Sequence, residues 1–459
     1  MSTVSDTDSA RPVNRLYFAV WRWHFYAGLY VIPFLLMLAV TGLVMLWISS
    51  TSELHGERSR IQPGAAPLPV SQLQAAAEAA VPGANAVQYI APMGPDRVAA
   101  FAVEQADDRT GVTLNPYTGE VVEPFPWAGW YDLASDIHGT LLIGDLGDRL
   151  IEAAASLGLL LIASGIYLHW PRNGAGWRQA LTPRREGGRG FWKALHGAVG
   201  LWISLILVVF LVSGLSWAGI WGGKFVQAWN TFPAEKWEAP LSDATHASLN
   251  HGAAREVPWT LEQAPLPASG SLAGTAAIAG PVTIDSVAAF ADSLGFDRRY
   301  QLNLPDGETG VWTISHDSMS NDGPDPSADR TIHIDRYTGN VLADVRYADY
   351  SAYAKAMAWG IAFHEGDLGA WNLALNTAFC LALILVSVSG LVMWLKRRPA
   401  GARLGAPPRP AEIPYAKGAL LVTLALALAF PMLGLTLLAV ILLDLAVLSA
   451  LPPLKRMVG

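Results

Sequence analysis

The sequence predicts a mainly α-helical membrane protein: a duplicated bundle of four core spans plus a C-terminal two-span hairpin, with two extracytoplasmic α+β modules. Three observations predict it. The 459 residues are 52% hydrophobic, with mean hydropathy +0.30, too apolar for an ordinary soluble enzyme. Apolar runs of about 20 residues, enough to cross a hydrocarbon core, recur along the chain. The order of short motifs in the first half returns in the second.

The elements follow in order. Residues 1–20 form a polar cytoplasmic tail, and residues 21–49 hold the first span, whose apolar run is 25–48. Residues 50–136 make the first outside module. Residues 137–171 carry a histidine motif at His138 and then the second span, apolar over 150–170; residues 172–192 are a loop. The third span occupies 193–221. Residues 222–363 hold a linker and the second module, residues 364–395 carry His364 and the fourth span, and 396–415 form another loop. In 416–452 an apolar stretch too long for one helix is interrupted by Pro431 and Gly434, so it reads as a hairpin of two short spans.

Basic residues set the orientation. The loop after span two carries Arg172, Arg178, Arg184, Arg185, Arg189 and Lys193 against Glu186, and the stretch after span four carries Lys396, Arg397, Arg398, Arg403, Arg409 and Lys417. Both are therefore cytoplasmic, as are the two termini, the last bearing Lys455 and Arg456. No cleavage-site pattern precedes the first span, which reads as a retained signal anchor. The two long loops face outside.

Composition excludes several classes. Net charge is −7 with no basic block apart from the span flanks, which argues against a nucleic-acid partner. The single cysteine, Cys380, allows no intrachain disulfide framework and no C-x-x-C-H haem attachment, and reads as a small buried hydrophobe. Neither a Walker A motif nor a G-x-G-x-x-G opening a βαβ unit is present, so the chain has no nucleotide site of its own.

The outside loops repeat one another. Asn115-Pro-Tyr-Thr-Gly-Glu-Val-Val122 matches Asp335-Arg-Tyr-Thr-Gly-Asn-Val-Leu342, each reading as strand, Thr-Gly turn, strand. Helical stretches precede them at 70–80 and 284–294, and 233–281 reads as irregular wrapping. In the spans, Trp23-His24, Gly28 and Thr41-Gly42 parallel Leu195-His196, Gly200 and Ser213-Gly214. His138, Gly144-Asp-Leu-Gly147 and Ser164-Gly165 parallel His364, Gly366-Asp-Leu-Gly369 and Ser389-Gly390.

Five of the ten histidines, His24, His138, His169, His196 and His364, lie in or beside the first four spans, where an ionisable side chain starts as a functional hypothesis. Orientation sorts them into two layers: His24, His196 and His169 at cytoplasmic ends, His138 and His364 at outer ends. A hydrocarbon core about 30 Å thick separates the layers, so any pairing occurs within one layer. Neutral imidazoles in symmetric pairs are good axial ligands for haem iron, and about two non-covalent b-type haems per chain would follow. Gly28, Gly42, Gly165, Gly200, Gly214 and Gly390 leave room for a flat macrocycle, and Arg22 and Arg172 would meet its propionates. The competing reading makes the histidines interfacial anchors like the many tryptophans. His169 has Trp394 as its counterpart, leaving it either a replacement cytoplasmic ligand for His196 or a group beside one. Asp145 and Asp367 in the Gly-Asp-Leu-Gly motifs read as N-caps of spans two and four. His55, His246, His251, His316 and His333 show no metal-ligand spacing and take surface or core roles. Asp444 lies in the last span without an evident partner. With no nucleotide site, electrons would come from a membrane quinol or a separate cytoplasmic reductase.

The ordered set Arg22-Trp23-His24 with Gly28, the Tyr-Thr-Gly modules, His138 before Gly-Asp-Leu-Gly, Gly165-Ile-Tyr-Leu-His-Trp-Pro-Arg172 and Lys193-Ala-Leu-His196 resembles the PepSY-associated transmembrane family. That family includes iron-uptake factors and ferric-siderophore reductases of bacterial inner membranes, and the likeness covers roughly residues 15–398. The resemblance implies four core helices, periplasmic PepSY-like modules, and two b-type haems on His24, His138, His196 and His364. It further implies haem-dependent reduction of a ferric siderophore in the periplasm. In this chain His169 stands where a tryptophan is expected, the 233–281 stretch is enlarged, and the terminal hairpin lies outside the common core. The alternative function is a non-redox PepSY membrane protein that binds or regulates a periplasmic partner.

Overall fold

The computed structural model describes residues 15–52, 56–106, 108–126, 129–172, 176–183, 187–250, 255–320, 322–398, 404–407, 416–443 and 445–446. The expectations for residues 1–14, His55, Arg184, Arg185, Glu186, His251, Arg403, Arg409, Asp444, Lys455 and Arg456 lie outside the described residues.

In chain order the helices are α1 (Arg15–Ser52), α2 (Val70–Ala80), α3 (Trp130–Thr140), α4 (Asp145–His169), α5 (Trp177–Leu181), α6 (Arg189–Leu215), α7 (Ile284–Ser293), α8 (Ala352–Glu365), α9 (Ala370–Arg397), α10 (Lys417–Ala429) and α11 (Pro431–Leu443). The strands are β1 (Asn85–Ile90), β2 (Ala99–Gln105), β3 (Asp108–Leu114), β4 (Val121–Pro126), β5 (Leu241–Thr245), β6 (Pro265–Pro267), β7 (Thr275–Ala276), β8 (Gln301–Asn303), β9 (Val311–His316), β10 (Arg330–Asp335) and β11 (Asn340–Arg346).

Four helices, α1, α4, α6 and α9, are long and apolar enough to cross a membrane. α1 begins ten residues ahead of the apolar run read from sequence, because nothing between Arg15 and Phe25 breaks a helix; Pro33 is accommodated inside it. The expected C-terminal hairpin breaks where Pro431 placed it, and α10 and α11 are bent by 120°. Each arm has 13 residues, about 20 Å at 1.5 Å per residue, short of a hydrocarbon core of about 30 Å. The pair therefore has the form of one broken span or a re-entrant segment, a correction to the reading of two spans.

The chain divides into two compact units. Unit one comprises Met1–Ala39, Arg149–Leu211 and Leu381–Gly459; unit two comprises Val40–Asp148 and Val212–Cys380.

Unit two is built on a nine-stranded sheet in the order β4-β3-β2-β1-β8-β9-β10-β11-β7. Both expected strand–turn–strand motifs are present, as β3–β4 and β10–β11. The Asn115 side chain accepts from the Tyr117 amide, and Asp335 accepts from the Tyr337 and Thr338 amides. Gly119 and Gly339 close these turns at φ 72° and 70°, a backbone conformation that favours glycine. α2 matches its expected bounds and α7 falls one residue short of them. The two α+β motifs are not separate: antiparallel pairing of β1 with β8, through Gln88–Asn303, Tyr89–Leu302 and Ile90–Gln301, joins their strands into one sheet. α2 and α7 cover it together, Leu73, Ala77, Val287 and Ala291 packing on Tyr89, Phe101, Leu302 and Ile314. Asp285 accepts from the Ser71 amide and hydroxyl at the start of α2. Buried Arg299 pairs with Glu57 at 2.7 Å and with Asp322.

The 233–281 stretch, expected to be mostly irregular, contains the short strands β5, β6 and β7, the last at the edge of the large sheet; it also packs, Phe232, Val257, Trp259 and Leu261 forming a core with Tyr350, Met357 and Ile361 of the segment leading through α8. His246 and His333 are both core residues.

Candidate functional site

In unit one, His24 on α1 and His196 on α6 face each other, with ring centroids 6.4 Å apart and planes at 89°. Each ring is held from behind. His24 Nδ1 lies 2.8 Å from Ser164 Oγ, whose own hydroxyl proton is directed to the Leu160 carbonyl at 2.8 Å. Ser164 Oγ therefore accepts, and the His24 proton sits on Nδ1. His196 Nδ1 donates to the Val386 carbonyl at 3.0 Å and to Ser389 Oγ at 3.1 Å. Both tautomers leave a lone pair on Nε2, where no hydrogen bond is made among the described residues. This is how metal-binding histidines are oriented: the second ring nitrogen is tied to a backbone or side-chain oxygen.

In unit two, His138 on α3 and His364 on α8 face each other at 6.5 Å, with planes at 79°. Thr41 Oγ1 is 2.8 Å from His138 Nδ1, and Ser213 Oγ is 2.8 Å from His364 Nδ1. Burial pushes the His138 imidazole down to about 4, and burial followed by the His138 charge pushes His364 down to about 3, so both are neutral at pH 7.

All four rings thus rest on a Ser/Thr-Gly step of a neighbouring helix. A Cβ at Gly165 or Gly390 would come 3.3 Å from Cε1 of His24 or His196; at Gly42 or Gly214 it would come 3.7 or 3.6 Å from that of His138 or His364. Sequence reasoning noticed these Ser/Thr-Gly steps but gave their glycines to a macrocycle; they seat the imidazoles instead. Gly28 and Gly200, one turn after His24 and His196, do face open space, since a Cβ there meets nothing within 4 Å.

His138 and His364, expected just ahead of spans two and four, each lie on a short helix that ends just before the span, and one further expectation is corrected. α3 ends on left-handed Leu141 and α8 on Gly366 at φ 92°. Asp145 is the first residue of α4 rather than its N-cap, and Asp367 lies before the start of α9, with its amide donating to the Ala362 carbonyl of α8. Gly144 precedes α4 and Asp145-Leu-Gly147 opens its first turn, whereas Gly366-Asp-Leu-Gly369 is the turn between α8 and α9. Behind it Asn372 and Asn376 donate to the Phe363 carbonyl and Asn376 to that of His364, satisfying the end of α8. No sequence motif announced these two asparagines.

His169 is not a member of the pair. Its Nε2 donates to the Ala180 carbonyl at 2.8 Å in α5, and its ring lies on Gly197, where a Cβ would clash with Nδ1 at 2.3 Å. Arg172 donates to the Tyr167 carbonyl at 2.6 Å and lies over the Tyr17 and Tyr167 rings, while Arg22 donates to the Pro407 carbonyl at 2.7 Å.

Among the described residues there is no cluster of three or more His, Cys, Asp or Glu suited to a metal ion. A metal held here takes two imidazoles from the protein and its remaining ligands from elsewhere. Exposed tryptophans at helix ends, among them Trp23, Trp47, Trp170 and Trp371, suit a lipid boundary. Four long apolar helices with tryptophans at their boundaries define a multi-pass helical membrane protein. The chain belongs to the PepSY-associated TM region family, whose family model matches residues 21–397. No curated protein matches the chain.

Proposed function

We propose that the protein is a transmembrane b-type haem electron-transfer protein of a bacterial inner membrane. It would reduce a periplasmic acceptor, a ferric siderophore first among candidates, for iron uptake. The observation that carries this reading is the shared geometry of the two pairs. The ring centroids lie 6.4 and 6.5 Å apart, a separation that would leave room for one metal ion between the two imidazoles of each pair. Each pair supplies two ligands, and a porphyrin supplies the other four. His24 and His196 would hold one haem and His138 and His364 a second, the open faces at Gly28 and Gly200 leaving space beside the first.

Bound haem supplies reversible one-electron chemistry; the residues of this chain fix its ligands. Ser164 and Ser389 would keep the proton on Nδ1 of His24 and His196, leaving Nε2 free to hold a metal, and the Ser/Thr-Gly seats would orient the rings. In the overall balance a quinol gives up two electrons and two protons, or a cytoplasmic reductase supplies single electrons, and each electron converts one ferric ion to ferrous. Ferrous iron is a poorer match for hard oxygen donors, so it leaves the chelate. Lys396, Arg397 and the other basic residues beside the spans support a topology with periplasmic loops in unit two and cytoplasmic termini.

The test is haem quantification on the purified full chain, then reduction by dithionite and re-oxidation by ferric complexes. About two acid-acetone-extractable b-type haems per chain, re-oxidised by a ferric siderophore, are expected. A haem-free preparation after expression with ample haem would overturn the proposal.

A further inference from the structure

Arg397, in the last turn of α9, has a guanidinium that stacks on two rings and meets no carboxylate among the described residues. It lies 5.1 Å from the Trp21 ring centroid and 4.8 Å from that of Phe25. Its Nε is buried and has no hydrogen-bond partner among the described residues. Arg189, at the start of α6, adds a like charge that acts on it, and the charges of Arg22 and Arg397 converge on Tyr26. Among the described residues of unit one the sole carboxylate is Glu152, which pairs with Arg149 at 3.5 Å. A cation taken partly out of water and set beside other cations is costly unless an anion joins it.

The location says which anion. Trp21 and Phe25 bracket His24 on α1, and Gly390, seven residues before Arg397 on the same helix, is the seat of His196. Seven residues span about 10 Å of helix, the reach of a porphyrin edge with its side chains. Arg172 stands at the matching place in the first half, seven residues after Gly165, but its guanidinium is taken by the Tyr167 carbonyl.

We propose that Arg397, seconded by Arg189, binds a propionate carboxylate of the haem held by His24 and His196; this rests on the haem reading above. Arg22 and Arg172, which the sequence offered for that role, each give one donor to a backbone carbonyl, whereas the buried Nε of Arg397 has no partner among the described residues. A phospholipid headgroup is the other source of anionic oxygens, and the experiment separates the two.

Full-length apoprotein, wild type and Arg397→Gln, is loaded with haem b or with its dimethyl ester, which lacks the carboxylates, in nanodiscs of phosphatidylcholine alone or with phosphatidylglycerol. Transfer of haem to an excess of a haem scavenger is timed. With haem b, Arg397→Gln should speed loss of one of the two haems on the order of tenfold, the worth of a charge-assisted hydrogen bond, with Arg397→Lys between. With the dimethyl ester, wild type and Arg397→Gln should release that haem at the same rate. The haem of His138 and His364 should be unaffected throughout, which controls for misfolding. An equal Arg397→Gln effect on both porphyrins, or none on either, overturns the assignment, and an effect seen only with phosphatidylglycerol gives the site to lipid. A wild-type chain that takes up no haem overturns the proposed function and this assignment together, whereas normal uptake with no porphyrin-dependent difference overturns the assignment alone.

Discussion

His169 and Trp394 occupy the same place in the two halves of the chain, four residues after the glycines that seat His24 and His196. Each turns its ring N–H to a backbone carbonyl of the loop that follows, His169 to Ala180 at 2.8 Å and Trp394 to Leu404 at 2.7 Å. His24 and His196 make the opposite arrangement: Nδ1 is held from behind at a Ser/Thr-Gly step, and Nε2 makes no hydrogen bond among the described residues. Each hold stays within one half, His24 on Ser164, His138 on Thr41, His196 on Ser389 and His364 on Ser213. Each facing pair takes one ring from each half. Which ring nitrogen is tied to oxygen, Nδ1 in His24 and His196 but Nε2 in His169, sets the proposed ligands apart from the structural tie.

The strongest way to break this comparison is to remove the rings. His24→Ala or His196→Ala should abolish one haem, and His138→Ala or His364→Ala the other, each lowering affinity at that site by more than the roughly hundredfold upper range for changes around a metal ligand. Electron delivery to an external ferric chelate should fail in both groups. His169→Ala should keep both haems, and His169→Trp should restore the loop tie as well. Site-resolved visible and electron paramagnetic resonance spectra check this; loss of the same haem from His24→Ala and His138→Ala would dissolve the two-pair scheme.

A second measurement sharpens the contrast between the two kinds of glycine. Gly28→Leu and Gly200→Leu place a side chain in open space beside His24 and His196. They should weaken haem retention about tenfold, as overpacking by 1–3 kcal/mol does, while helix content holds because leucine is the better helix former by about 1 kcal/mol. Gly165→Ala and Gly390→Ala put a Cβ 3.3 Å from an imidazole carbon and should cost less. Circular dichroism with haem retention in each variant separates the cases; unchanged retention in both leucine variants would move the macrocycle away from that face.

Much of this was legible in the sequence because it is written locally. The spans follow from unbroken apolar runs, α2 and α7 from helical stretches, and β3–β4 and β10–β11 from Thr-Gly turns that need glycine at positive φ. The facing histidines were legible through repetition. The rest depends on distant contacts that leave no local mark. Pairing of β1 with β8 joins segments more than two hundred residues apart, so two modules read where one sheet exists. The histidine motifs were placed ahead of the spans, but the short helices α3 and α8 that carry them were not foreseen, because Leu141 gives no sign of its left-handed backbone. Asp145 and Asp367 resembled caps, but the carbonyls needing partners belong to α8, and Asn372 and Asn376 reach them from beyond the turn.

The smallest expected effect compares the two halves of the sheet. His333 on β10 stands where β3 has Thr113, and it faces His246 of the 233–281 stretch with Nε2 atoms 2.9 Å apart. His246 Nδ1 must donate to the Ala264 carbonyl, so His333 Nε2 donates to His246 Nε2 and Thr313 Oγ1 donates to His333 Nδ1. This chain of hydrogen bonds is complete with both rings neutral. Burial pushes His246 down to about 4, and burial together with the His246 charge pushes His333 well below the usual histidine range. In the unfolded chain both titrate near 6.5, so below that value the unfolded state binds more protons than the folded one. The pair's full stability is present above about pH 6.5 and is lost as pH falls toward 4, by about 1 kcal/mol per ring at pH 5.5. Amide exchange in β9 and β10 should therefore quicken between pH 7 and 5.5, more than in β2 and β3, where Thr113 does not titrate. The double variant His246→Phe with His333→Leu should remove that difference. Equal acid sensitivity in the two strand pairs of the native protein would show that the histidine pair does not govern it.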